Sequence, residues 1–135
     1  MNVAFFLVPK AEVAYVYEKD LLPQALERMK TSGYTAIPVL TEDNLYVGSV
    51  SEGDFLWHFL QKPGLPPLPE GDRTCVRDIM RPDRNPPVQI TAGIPELLRR
   101  AEGQNFIPVV DDRNVFIGIV RRSEIIHYYT ADPKE

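Results

Sequence analysis

Apolar and polar residues follow two patterns along this chain, and the two patterns return in the same order. The first has apolar side chains three and four residues apart, at Leu22, Ala25, Leu26 and Met29. That spacing is typical of an amphipathic helix, and we predict that the helix has its N-cap at Asp20 and ends at Gly33. The segments AIPVL and LYVGSV then predict two strands joined by the turn TEDN, and FLWHFL predicts a second helix.

The same order of elements returns in the second half of the chain. IPVLTEDNLYVGSVSEGD at 37–54 and IPVVDDRNVFIGIVRRSE at 107–124 share six identical residues at an offset of 70. Upstream the offset is 72, so that Val16 matches Val88. A matching helix has its apolar residues at Ile94, Leu97, Leu98 and Ala101 and closes at Gly103. This self-similarity indicates a duplicated structural unit.

The repeat divides the chain into three predicted segments: repeat 1 at residues 1–60, a proline-rich linker at 61–75 and repeat 2 at 76–135. Four prolines of the linker interrupt any helix or central strand, at Pro63, Pro66, Pro67 and Pro69. Each repeat predicts a β-α-β-β-α unit, so the fold class is α/β of the α+β kind. A repeat of about 60 residues has a small core by itself, and we expect the two repeats to pack together about a pseudo-twofold axis.

Composition and charge narrow the function classes. Apolar residues make up 44% and charged residues 25% of the 135 positions, as in a globular protein. A net charge of -4 argues against general nucleic-acid affinity, which needs a basic surface. The apolar run at residues 4–8 is too short to span a membrane and lacks the features of a secretory signal. We therefore expect a cytoplasmic protein in which the single cysteine, Cys75, forms no internal disulfide.

Catalytic and metal motifs are missing from the sequence. It has no nucleophile elbow, zinc-protease motif, P-loop or dinucleotide-binding glycine motif, so we expect no enzyme activity. His58 and His127 lack partners at metal-ligand spacing and occur in aromatic-rich helices. We expect both to pack, and we expect no metal and no catalytic cofactor.

Two short segments carry candidate chemistry, one in each repeat. Ser51 and Asp54, in SEGD, match a capping box at a helix N-terminus, and the same geometry offers unpaired N–H groups to a phosphate. The counterpart RRSE has Arg121 and Arg122, which cannot cap and oppose the helix dipole. They suit a bound polyphosphate, or else they pair with a carboxylate such as Glu124 or with a partner subunit.

The duplicated β-α-β-β-α unit resembles the cystathionine β-synthase (CBS) domain. The features that carry the resemblance are a proline and valine in the second strand, a glycine in the third, and Ser-x-x-Asp after it. Two in tandem resemble a Bateman module, and the short layout is similar to free-standing CBS proteins that bind cyclic di-AMP. The resemblance implies a regulatory module that binds an adenine nucleotide (AMP, ADP, ATP or cyclic di-AMP), forms a homodimer and can act on a protein partner.

The resemblance also implies site residues. Ser51 would bind phosphate and Asp54 the ribose hydroxyls, while Glu124 keeps the acid of the second site one methylene longer. Other ligand-binding residues would flank the base or phosphates: Ala14, Val16, Thr35, Ala36, Pro38, Val88, Asn105, Phe106, Pro108, Arg121 and Arg122. The alternative is a constitutive dimerisation or interaction module with unused clefts. In either case we expect the last helix of each repeat to place one apolar face in the core and another in a dimer interface.

Overall fold

The computed structural model describes residues 1–61 and 72–131. Its helices are α1 (Val3–Phe6), α2 (Leu22–Ser32), α3 (Glu52–Gln61), α4 (Ile94–Gly103) and α5 (Arg122–Thr130). Its strands are β1 (Val8–Pro9), β2 (Val16–Tyr17), β3 (Ala36–Leu40), β4 (Tyr46–Ser51), β5 (Val88–Gln89), β6 (Phe106–Val110) and β7 (Phe116–Arg121). Short 3₁₀ turns span Lys10–Glu12 and Val76–Asp78. The predicted mixed fold with two β-α-β-β-α repeats is confirmed. The four prolines of the predicted linker lie outside the described residues.

The chain divides into two compact units. The first unit comprises residues 14–84, and the second comprises residues 1–13 together with 85–135. The boundaries of the units therefore differ from those of the sequence repeats. Residues 1–13, which precede the first strand of repeat 1, belong to the unit that contains β6 and β7 of repeat 2. Residues 76–84, which precede the first strand of repeat 2, belong to the unit that contains β3 and β4 of repeat 1.

The first unit is a three-stranded sheet with strand order β2-β3-β4. β2 runs parallel to β3, and β3 pairs antiparallel with β4. A buried cluster lies between this sheet and helices α2 and α3, formed by Val16, Leu22, Ala25, Met29, Ile37, Val39, Val50, Phe55 and Val76. Its helical members recur every three or four residues, so one face of α2 covers the sheet.

The second unit is a four-stranded sheet with strand order β1-β7-β6-β5. β5 and β6 are parallel, and β7 pairs antiparallel with both β6 and β1. The buried cluster of this unit contains Val3, Phe6, Val88, Leu97, Ala101, Ile107, Val109, Val120 and Ile125. Val3 and Phe6 of α1 thus pack in this core, whereas the Phe5 side chain between them is exposed.

Glycine lets the segment that precedes the first strand of each repeat approach a long strand of the other repeat. Gly118 of β7 pairs with Pro9, and a Cβ at Gly118 would overlap the carbonyl oxygen of Val8. In the first unit, a Cβ at Gly48 would lie 2.6 Å from the carbonyl oxygen of Arg81. Both glycines have positive φ, 157° at Gly118 and 148° at Gly48. The shared glycine of the two repeats therefore allows close backbone contact.

The ends of the helices agree with the sequence in most places. Gly33 ends α2 in the left-handed conformation at φ 75°, and α4 ends at Gly103. The prediction that Asp20 is the N-cap of α2 is wrong. The cap residue is Leu21, and the Asp20 carboxylate accepts a hydrogen bond from the Tyr17 backbone N–H at 3.0 Å. Asp20 therefore closes the turn that precedes the helix.

None of the described helices is both long enough and apolar enough to cross a membrane.

Candidate functional site

The corner between β4 and α3 brings the first pair of predicted site residues together. The Ser51 backbone N–H donates to Oδ2 of Asp54 at 2.9 Å, and the Asp54 backbone N–H donates to Oγ of Ser51 at 3.2 Å. This is a capping box, as the sequence predicted. Ala36 pairs with Ser51 across the sheet, and the Thr35 carbonyl accepts from the Glu52 N–H at 2.9 Å. The four predicted residues of this corner are therefore neighbours.

Asp54 also forms a two-point ion pair with Arg84. Nη1 of Arg84 donates to Oδ2 at 2.8 Å, and Nη2 donates to Oδ1 at 2.9 Å. The side chain of Asp54 is 5% exposed and that of Arg84 26% exposed. Arg81 adds a longer contact, with Nε 3.8 Å from Oδ1. Both oxygens of the candidate ribose-binding carboxylate thus have cationic partners within the first unit.

The ion pair keeps both groups charged. Burial opposes ionisation of Asp54, but hydrogen bonds from Arg84 and Ser51 outweigh it and hold the carboxyl pKa below its usual value. Hydrogen bonding to Asp54 raises the pKa of Arg84. Tyr46 supports the backbone, since its hydroxyl donates to the Arg84 carbonyl at 3.3 Å. Burial raises the pKa of Tyr46, so this hydroxyl remains a donor.

A cleft of about 340 Å³ opens beside Asp54. It is lined by Asp54, Trp57, His58, Gln61, Asp78, Ile79 and Arg81. His58 contacts the ring of Phe59 at 6.0 Å between centroids, in line with its predicted packing role. Its Nε2 is buried without a hydrogen-bond partner among the described residues. The cleft therefore has charged groups of both signs next to an aromatic side chain.

The equivalent corner of the second unit borders a larger cleft of about 540 Å³. Arg121 pairs with Phe106 across the sheet and precedes α5 without a side-chain cap hydrogen bond. The lining residues are Phe5, Phe6, Leu7, Val8, Glu12, Arg121, Glu124, His127, Tyr128 and Ala131. Of the predicted residues, Arg121 and Glu124 therefore share a cleft, and aromatic side chains of α1 and α5 lie beside them.

Arg122 has a structural role that the sequence analysis did not give it. Its Nη1 donates to the Ala101 carbonyl at 3.3 Å, and its Nη2 donates to Oδ1 of Asn105. Ala101 lies in the last turn of α4, where carbonyls lack helical partners and a cation is favoured. These tertiary contacts place the Arg122 guanidinium at the end of α4.

The other predicted residues are parts of strands or of the core. Val16 and Val88 are buried in the two core clusters, and Ala14 packs against the first of these. Pro38 and Pro108 are buried in β3 and β6. The backbone carbonyl of Phe106 accepts hydrogen bonds at 3.4 Å from Asn85 and at 3.3 Å from Gln104. Asn105 holds Arg122.

Sequence reasoning missed Arg84 and Glu12. Both were detectable, because the offset of 72 that pairs Val16 with Val88 also pairs Glu12 with Arg84. The two sites are therefore unlike in charge. Arg84 faces the acid in the first unit, whereas Glu12 lines the cleft beside Glu124 in the second.

The described residues contain no group of three or more histidine, cysteine or acidic side chains placed to hold a metal ion.

The sequence model of the CBS domain family matches residues 7–60 and 76–131, which together are most of the chain. The chain belongs to the CBS domain family. It carries two CBS domains in tandem, and the resemblance in its motifs is confirmed. No curated protein matches the sequence.

Solved structures similar to this tandem CBS protein include those of CbpB and CBSX2. CbpB in complex with c-di-AMP is 20% identical with a TM-score of 0.84, covering 97% of this chain and 85% of its own. At that identity the similarity shows the fold alone. CbpB of Listeria monocytogenes with c-di-AMP is 26% identical with a TM-score of 0.80, and the match covers 94% of this chain and 93% of the CbpB chain. CBSX2 in complex with AMP is 25% identical with a TM-score of 0.74, covering 95% of each chain.

Proposed function

We propose that this CBS protein is a non-catalytic regulatory module that binds an adenine nucleotide. The ligand class comprises AMP, ADP, ATP and c-di-AMP, and the signal passes through the shape of a homodimer or through a protein partner. The observation that carries the proposal is the corner of Ser51 and Asp54. A hydroxyl, a carboxylate and a helix N-terminus meet there beside a cleft.

The chemistry of that corner suits a nucleoside phosphate. A carboxylate such as Asp54 accepts both hydroxyls of a ribose through charge-assisted hydrogen bonds. The hydroxyl of Ser51 and the first N–H groups of α3 suit a phosphate, because a helix N-terminus carries partial positive charge. Half-buried Ala14 and Ala36 are part of the apolar surface that would face the base.

The complexes of similar proteins support the ligand class. CbpB of Listeria monocytogenes holds c-di-AMP and CBSX2 holds AMP, and each covers nearly all of this chain. Both ligands contain an adenosine and at least one phosphate. We therefore place this protein's ligand within the same chemical class.

The cleft of the second unit is proposed as a second site with a different preference. Arg121 supplies a guanidinium where the first unit has Ser51, and a guanidinium binds phosphate oxygens in pairs. Glu124 supplies the carboxylate for ribose contact. We expect this site to favour ligands with more than one phosphate.

Thermal unfolding with and without ligand tests both sites. We expect ATP and AMP to raise the Tm of the wild type, because a ligand that binds only the folded state stabilises it. Asp54→Ala should lose the part of this rise that comes from the first unit, measured against its own ligand-free Tm. Arg121→Ala should reduce the rise with ATP more than the rise with adenosine.

Glu52→Ala is the matched control, since Glu52 is an exposed acid of the same helical turn as Asp54. Ligand-induced shifts equal to those of the wild type in all three variants would contradict the site assignment.

A constitutive dimerisation module is the second candidate. It is favoured by the large apolar side chains that α3 and α5 leave exposed, namely Leu56, Trp57, Leu60, Ile126, Tyr128 and Tyr129. This candidate predicts no Tm shift with AMP, ADP, ATP or c-di-AMP, and no nucleotide released when purified protein is denatured.

A further inference from the structure

The carboxylate of Asp54 is fully engaged by groups of its own unit. Oδ2 accepts hydrogen bonds from the Ser51 N–H at 2.9 Å and from Nη1 of Arg84 at 2.8 Å. Oδ1 accepts from Nη2 of Arg84 at 2.9 Å, with Arg81 nearby at 3.8 Å. The guanidinium thus spans both oxygens, which is the arrangement that a ribose diol would need for itself.

We infer that Arg84 is a specificity-determining residue that makes binding at Asp54 depend on the ligand's phosphate. In the ligand-free protein Arg84 is the counter-ion of Asp54. On binding, the ribose takes the carboxylate and the phosphate takes the guanidinium. This inference rests on the proposed nucleotide site at Asp54.

Adenosine cannot make this exchange. To reach both oxygens of Asp54 it must separate the ion pair, and it brings no anion for the guanidinium. The Arg84 side chain is only 26% exposed, so water solvates it incompletely once its partner is taken. Leaving a partly buried charge without its partner is costly. Binding of the nucleoside alone is therefore disfavoured at this site.

A nucleotide can make the exchange because phosphate suits the same donors. A guanidinium presents paired N–H groups that match phosphate oxygens as well as carboxylate oxygens. The backbone of Arg84 stays in place through the Tyr46 hydroxyl, which donates to its carbonyl at 3.3 Å. The side chain can change rotamer from that fixed point. Arg84 thus remains within the site whichever anion it holds.

The second unit has a different side chain at the position equivalent to Arg84. The residue equivalent to Arg84 is Glu12, which lines the cleft beside Glu124. Glu12 cannot replace Arg84 as a counter-ion for Glu124, and Arg121, at the end of β7, lines the same cleft. The exchange of Arg84 between carboxylate and phosphate is therefore inferred for the Asp54 site.

Fluorescence titration of the whole protein isolates the first unit. The chain has a single tryptophan, and Trp57 lines the cleft beside Asp54. Adenosine and AMP are titrated into the wild type and Arg84→Gln, and the ratio of their Kd values is compared. We expect Arg84→Gln to bind adenosine more tightly and AMP more weakly, so that the preference for AMP falls at least about tenfold.

Two further variants complete the comparison. Arg77→Gln removes the same charge from an exposed position of the same unit and should keep the wild-type ratio. Arg84→Lys keeps the charge but loses the paired geometry, and its ratio should fall between those of the wild type and Arg84→Gln. If Arg84→Gln does not fold, as judged by its thermal transition, the Kd ratio of Arg84→Lys is compared with that of the wild type instead, and a lower preference for AMP supports the inference.

The outcomes separate this inference from the proposed function. A ratio in the Arg84 variants equal to that of the wild type overturns the inference and leaves the proposed nucleotide site standing. An increase of both Kd values by one common factor also overturns the inference, because the ratio is then unchanged. No binding of either ligand by the wild type or any variant contradicts the proposed function, and the inference with it.

Discussion

Asp54 and Arg84 are 30 residues apart in the sequence, and the structure joins them through two hydrogen bonds of 2.8 and 2.9 Å. Asp54 lies in the first turn of α3, after the third strand of repeat 1, whereas Arg84 follows the predicted linker. Their pairing ties the leading segment of repeat 2 to the strands of repeat 1 within one compact unit. The ion pair thus contributes to the stability of that unit and is also part of its candidate site.

A double-mutant cycle should measure this coupling. Asp54→Asn and Arg84→Gln remove the two charges singly and together, and urea unfolding gives each free energy. Because both side chains are largely buried, we expect a coupling of about 2 kcal/mol. The exposed pair of Lys19 and Glu42, at 3.6 Å, is the control and should couple by less than about 0.5 kcal/mol. Equal couplings in the two cycles would contradict a stabilising role for the buried pair.

The stability that Asp54 contributes should depend on pH in a definite direction. Its pKa is lower when folded than the usual value of 3.8, so its contribution is complete above 3.8. The contribution is lost as the pH falls through the folded-state pKa, since Asp54 then binds a proton and Arg84 remains charged. The difference in unfolding free energy between wild type and Asp54→Asn should therefore stay constant from neutral pH down to 3.8 and shrink as the pH falls further. A difference that stays constant or grows as the pH falls below 3.8 would show that the ionised carboxylate is not the stabilising form.

Substitution of Gly118 should detach the leading segment of the second unit. A Cβ there would overlap the Val8 carbonyl oxygen and lie 2.8 Å from Cδ1 of Leu7, and φ is 157°. We expect Gly118→Ala to lower the unfolding free energy by about 3 kcal/mol and to speed hydrogen exchange at Ile119, which pairs with Val8.

Gly103→Ala is the control for this substitution. A Cβ at Gly103 would meet nothing within 4 Å, and the residue ends a helix, so stability should stay equal or rise by about 0.5 kcal/mol. If Gly118→Ala were as stable as Gly103→Ala, the close packing of the leading segment would be refuted.

The exposed face of α3 should hold the proposed homodimer together. Leu56 and Leu60 are one turn apart and are 55% and 65% exposed in the single chain. Leu60→Glu would bury a charge in the interface, and we expect it to raise the dimer Kd at least about tenfold in sedimentation velocity. Thr31→Glu adds the same charge at an exposed position of α2 and should sediment as the wild type does. A monomeric wild type, or a Leu60→Glu variant that dimerises equally well, would contradict this interface.

Much of the fold was predictable because it depends on local patterns. The periodicity of α2 and α4, the strand pairs around Pro38 and Pro108 and the end of α2 at Gly33 all follow from residues near one another in the chain. The capping box of Ser51 and Asp54 is equally local, since it spans a single helical turn. Its partner Arg84 could be noticed in the sequence only through alignment with Glu12.

The amino-acid sequence by itself determined the duplication, the order of elements in each repeat and the chemical types at each corner. Only the tertiary structure decided which distant groups meet. It paired β1 with β7, placed Arg84 on Asp54 and turned Arg122 toward the end of α4. The physical reason is that strand pairing and ion pairing between distant segments depend on how the chain closes its loops. A local pattern of apolar and polar residues does not encode that closure.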